Sequence, residues 1–151
     1  MVRRPVAVVA ALVLLAEAVG IVVLNGIMAT FVDAQRMSLD GLDTDVMVTA
    51  TWGMGIGTGL LLALAGVLLL VVAVRDRAPG RFTRVLLISL AVVHAVLGAL
   101  TVGLVGWSAF AFMMVVLGLL VASLIAYGEE RPAEEPADPA GPAVDGVASP
   151  A

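Results

Sequence analysis

Four apolar stretches separated by short polar links organise this chain: Val6–Val32, Val46–Val74, Phe82–Leu104 and Trp107–Tyr127. Each is about 20 residues or longer, enough for a helix rising about 1.5 Å per residue to cross a hydrocarbon core of about 30 Å. The stretches are apolar on all faces. Barrel strands, of about 10 residues with strict in–out alternation, therefore do not compete as a reading. The pattern predicts an all-α membrane protein, a bundle of four transmembrane helices. The first two stretches exceed what a bilayer requires, so they are expected to tilt or to project beyond it. Met1–Pro5 resembles the charged start of a signal peptide. The apolar run behind it is far longer than an h-region of about 7–15 residues and contains Glu17, so it reads as a retained helix.

The links between stretches predict an orientation. Arg3 and Arg4 precede the first helix, and Arg75, Arg77, Arg81 and Arg84 crowd the link between the second and third, with Asp76 among them. The first link instead holds Asp33, Asp40, Asp43 and Asp45 against Arg36, and the last, around Val105–Gly106, is uncharged. Positive ends are retained in the cytoplasm, which places both termini and the second link inside. Phe31, Trp52 and Trp107 then fall at the outer interface, and Phe82 and Tyr127 at the inner one. The expected location is the plasma membrane, crossed four times, with the lipid bilayer as the first partner.

Composition sharpens this picture. The chain is 62% hydrophobic and 13% charged, where soluble domains sit near about 45–50% and 25%. Its net charge of −4 belongs to the C-terminal segment: from Gly128 onward six acids and one arginine give −5, leaving +1 for the remainder. That segment, 128–151, is rich in proline, alanine and acids, and is expected to be a disordered cytoplasmic tail. The body, 1–127, is the transmembrane domain. No basic surface suits nucleic acid. The chain has no cysteine and a single histidine. Thiolate chemistry and His-cluster metal sites are excluded, and no cofactor or metal is expected.

"TWGMGIGTGL", Thr51–Leu60, carries Gly53, Gly55, Gly57 and Gly59. A phosphate loop would need a strand before it and a lysine after it, and neither is present. Wound into a helix at about 100° per residue, Gly53 and Gly57 share one face, and Gly55 and Gly59 the nearly opposite one. Ala63 and Gly66 extend the second face. Each pair is a small-xxx-small notch that admits another backbone. Two notches call for two neighbours, either both within the bundle or one inside and one in another chain, and the second alternative is a homo-oligomer or larger complex through the second helix.

Glu17 and His94 are the ionisable groups deep in the stretches. Counted from the arginine-rich side, Glu17 lies about 16 Å and His94 about 14 Å along its helix, so both sit near the midplane and can pair. A charge at that depth costs at least about 2.5–3.5 kcal/mol, so both are expected to face the interior. The pair reads as a pin between the first and third helices, or as a proton or cation site. Asn25 is expected to bond across to another helix, and Ser89 and Ser123 back to their own. Asp43 or Thr44 reads as a helix cap, since the acid-rich "SLDGLDTD" lacks the spacing of a calcium loop.

"LAEAVG", Leu15–Gly20, resembles the first helix of small multidrug resistance transporters through Ala16, Glu17 and Gly20. In that family the glutamate exchanges protons for cationic drugs, which implies such a role for Glu17. Those proteins line their site with Tyr and Trp, whereas this chain places no aromatic residue at mid-depth. Over Val6–Tyr127 the chain also resembles small four-helix membrane proteins of high-GC actinobacteria, in its first-helix glutamate, arginine-rich second link and polar residue in the third helix. That likeness implies a class without an activity. No nucleophile–base set is present, so the chain does not read as an enzyme. The leading expectation is a non-enzymatic accessory or assembly component of the membrane. The alternative is a small oligomeric proton-coupled transporter or channel using Glu17.

Overall fold

The computed structural model describes residues 3–36, 41 and 43–128. It contains α1 (Arg3–Ala34), α2 (Thr44–Arg75), α3 (Arg81–Leu104) and α4 (Trp107–Ala126), with no strand among the described residues. All four are long and apolar enough to cross a membrane. α1 and α2 have 32 residues each, about 48 Å of helix, whereas α4 with 20 matches a core of about 30 Å. The expected tail falls outside the described residues from 129 onward, as does Asp40 of the first link.

Local chemistry sets the helix ends. Asp43, extended at φ −63° and ψ 142°, caps α2 by accepting from the Asp45 N–H at 3.3 Å. α2 stops at Asp76, which takes the left-handed conformation at φ 50°. The α3–α4 turn is equally tight. Val105 and Gly106 both donate to the Thr101 carbonyl, at 2.9 and 2.8 Å, and Gly106 adopts φ 116°, which glycine tolerates and side chains resist.

Neighbours follow one another around a ring: α1 packs on α2 and α4, and α3 on α4 and, least closely, α2. α1 and α3 lie on a diagonal, with no pair of Cα atoms within 8 Å among the described residues. The α1–α2 interface is the tightest because small residues make it. Ala7, Ala10, Ala11 and Ala18 are buried on α1, and Gly55, Gly59, Ala65 and Gly66 on α2. In lipid, apolar burial gives helices no net drive to associate, so close backbone packing of this kind carries the interface. Leu69, Leu87, Val116 and Leu120 complete the core, while Leu60, Val92 and Val115 point outward, as lipid-facing positions do.

The four glycines divide between two environments. A Cβ built on Gly59 would stand 2.5 Å from Val22 Cγ2 and 3.1 Å from the Ala18 carbonyl, and one on Gly55 would collide with Asn25. On Gly53 or Gly57 it would meet nothing within 4 Å. Of the two expected neighbours, this chain supplies one, α1.

Candidate functional site

Glu17 sits near the middle of α1 and His94 in the interior stripe of α3, with Leu87, Leu90, Ala91 and Gly98 also buried on that stripe. The structure brings the two together across the diagonal of the bundle. His94 Nε2 lies 3.2 Å from Glu17 Oε1 and 3.1 Å from Oε2. The imidazole is 3% exposed, and its Nδ1 lies 2.8 Å from the Leu90 carbonyl one turn back. A carbonyl only accepts, so Nδ1 carries a hydrogen and donates it. One proton must then lie between Nε2 and the carboxyl group, because a lone pair facing a carboxylate would repel it. Together the two residues form a net-neutral unit, which removes most of the penalty for placing either one at mid-membrane.

The same geometry limits what the pair can do. Proton exchange between Nε2 and Glu17 is direct. Onward transfer through the ring is blocked, because Nδ1 is committed to a backbone carbonyl that cannot relay a proton. Any exchange with the surroundings therefore runs through Glu17. Its carboxyl group lines a cavity of about 430 Å³ between α1 and α4, together with Val13, Ala16, Gly20, Ile21, Leu24, Phe112 and Met113. Ala16 and Gly20 are exposed, so the cavity opens on the lipid-facing side. Phe112 also stands at this site. It enters α4 from the tryptophan end, yet it lines the cavity that holds the mid-depth carboxyl group.

Other polar residues take structural roles. Asn25 does not bond across to another helix as expected: its Nδ2 donates to the Ile21 carbonyl of its own helix at 2.9 Å, and its Cβ fills the space over Gly55. Asparagine in a helix reaches its own backbone without any partner, and the missing side chain of Gly55 makes room for it. Ser123 donates to Leu119 O at 2.7 Å. Trp52 packs its ring on Gly26, a contact that no helical pattern in the sequence announces. Among the described residues, no three His, Cys, Asp or Glu side chains gather in a way that could hold a metal ion.

A second polar cluster, missed in the sequence, closes the arginine-rich end. Arg4 Nη2 and Arg3 Nε each stand 2.9 Å from Asp76, at Oδ2 and Oδ1 respectively. The Arg4 guanidinium, then that of Arg3, holds the Asp76 carboxyl below its ordinary value of 3.8. Arg3 also stacks over the Tyr127 ring at 5.5 Å from its centroid. Tyr127 stands at the arginine-rich end of α4 and is turned inward: it is 3% exposed, and its hydroxyl has no hydrogen-bond partner among the described residues. Burial, then the Asp76 charge, pushes its phenol above the ordinary 10.0. The cluster joins the start of α1, the end of α2 and the end of α4 on one side of the bundle. No protein family, curated protein or solved structure matches the chain.

Proposed function

We propose that this protein is a non-enzymatic component of the plasma membrane, crossing it four times with both ends in the cytoplasm, that serves as an accessory or assembly subunit. The closed hydrogen-bonding of the Glu17–His94 pair carries the reading. His94 spends both ring nitrogens inside the chain, which suits a pin holding α1 to α3 better than a relay. The surface then becomes the working part, and the open Gly53/Gly57 face of α2 is where a partner helix comes closest. Crosslinking in native membranes tests this. A constant partner is expected, and its loss in Gly57→Leu would map the contact. Recovery of the chain alone, unlinked to anything, overturns the proposal.

A second reading has its own support. The cavity beside Glu17 offers an apolar, laterally open space with one titratable group, as a proton-coupled transporter of lipophilic cations would need. Under it, proteoliposomes show proton-coupled flux that Glu17→Gln abolishes while the fold survives. Flux that persists in that variant, or is never seen, sinks this reading.

A further inference from the structure

The link between α2 and α3 gathers Arg75, Arg77, Arg81 and Arg84, and all four are exposed. Among the described residues the acid of this link, Asp76, is engaged by Arg3 and Arg4 from α1. The four guanidiniums thus have no acidic partner among the described residues. Beside them, where α2 and α3 diverge, lies a pocket of about 230 Å³. Arg75 and Arg77 form one wall, and Gly80 and Thr83, at the start of α3, form the other. α3 has no side-chain cap, and its first helical hydrogen bond is Arg84 N–H to Gly80 O, so the N–H groups before it remain unspent. Thr83 is 9% exposed and lines this pocket, and its hydroxyl has no hydrogen-bond partner among the described residues. Deeper in, the lining turns apolar, through Val71 and Val72.

We propose that this cleft binds the phosphate of an anionic phospholipid from the adjoining leaflet. Two guanidiniums, a helix N-terminus and the hydroxyl of a threonine only 9% exposed can all donate, and a phosphodiester oxygen pair is all acceptor. The apolar floor continues in the direction an acyl chain takes from its headgroup. A shallower groove of about 200 Å³ shares Val71 and Arg75 with this cleft and gives a second chain a path on the other side of Val71. The lipid fills the seam that α2 and α3 leave between them. The proposal holds whether the protein is an accessory subunit or a transporter.

Native mass spectrometry of the full chain, titrated with phosphatidylglycerol or with phosphatidylcholine, tests it. The wild type is expected to retain phosphatidylglycerol preferentially. Arg75→Gln/Arg77→Gln is expected to lose at least about tenfold in affinity, the loss of a charge-assisted hydrogen bond. Thr83→Val, which changes no charge, is expected to lose about tenfold, and Thr83→Ser to restore it. Arg81→Gln/Arg84→Gln removes the same charge outside the pocket and should leave the preference largely intact. An equal loss in both arginine pairs means diffuse attraction to charge and overturns the site. So does equal retention of the two lipids, or an unaffected Thr83→Val. If inorganic phosphate alone displaces the lipid and protects the chain equally well, the occupant is a free anion and the lipid assignment fails. Melting of each variant in phosphatidylcholine nanodiscs separates lost binding from lost folding.

Discussion

Gly57 and Gly59 stand two positions apart on one helix, yet the same substitution should act on them in opposite directions. At Gly59 an added methyl meets Val22 Cγ2 at 2.5 Å and the Ala18 carbonyl oxygen at 3.1 Å. The valine is held in one rotamer on a helix, and the carbonyl is backbone, so neither yields without moving α1. Overpacking of this kind costs about 1–3 kcal/mol. At Gly57 the methyl meets nothing within 4 Å, and alanine gains up to about 0.8–1.0 kcal/mol of helix propensity. Both variants gain the propensity, so they should differ by the overpacking alone, about 1–3 kcal/mol. Unfolding in mixed micelles of mild detergent and dodecyl sulfate, followed by circular dichroism, measures this. The midpoint should fall for Gly59→Ala and hold or rise for Gly57→Ala. Equal shifts, or a stabilised Gly59→Ala, would refute the assignment of the two faces.

Three further outcomes follow from the polar groups. His94→Leu leaves Glu17 without its partner and should cost about 3–5 kcal/mol, while Glu17→Leu/His94→Leu should recover most of it; additive single effects in a double-mutant cycle would deny the coupling. Asp76 has a folded pKa below its ordinary 3.8, so the stability it contributes is complete above that value and is lost as pH falls through the lower folded value. Thermal melts at descending pH should show this loss in the wild type and not in Asp76→Asn. Tyr127→Phe deletes a buried hydroxyl that has no partner among the described residues and should stabilise by about 1 kcal/mol; a clear destabilisation in the same melts would mean the hydroxyl is satisfied.

The helices were legible because lipid demands long apolar runs, and little else in a sequence produces four of them. The meeting of Glu17 and His94 was legible from depth alone, since each helix rises by a fixed amount per residue and the links fix which end is which. What depth could not supply is rotation about each helix axis. That is why the depth of Tyr127 could be read, at the arginine-rich end, while its turn inward beneath Arg3 could not. Asn25 was misread for a related reason: a polar side chain facing a neighbour was assumed to need it, when its own backbone lay one turn away. Both faces of the α2 glycine stretch were visible, but periodicity carries no information about which of them α1 would take.

The diagonal placement of the polar pair bears on how the chain is made. Glu17 and His94 are separated by 77 positions, which at about 5–20 residues per second of synthesis is a delay of about 4–15 seconds. Throughout that interval α1 is available to the membrane and its partner imidazole does not yet exist. α2 can dock against α1 in the meantime through its glycines, but it offers the carboxyl group no hydrogen-bonding side chain. A half-made chain thus carries an unmatched acid at mid-membrane that the finished chain does not.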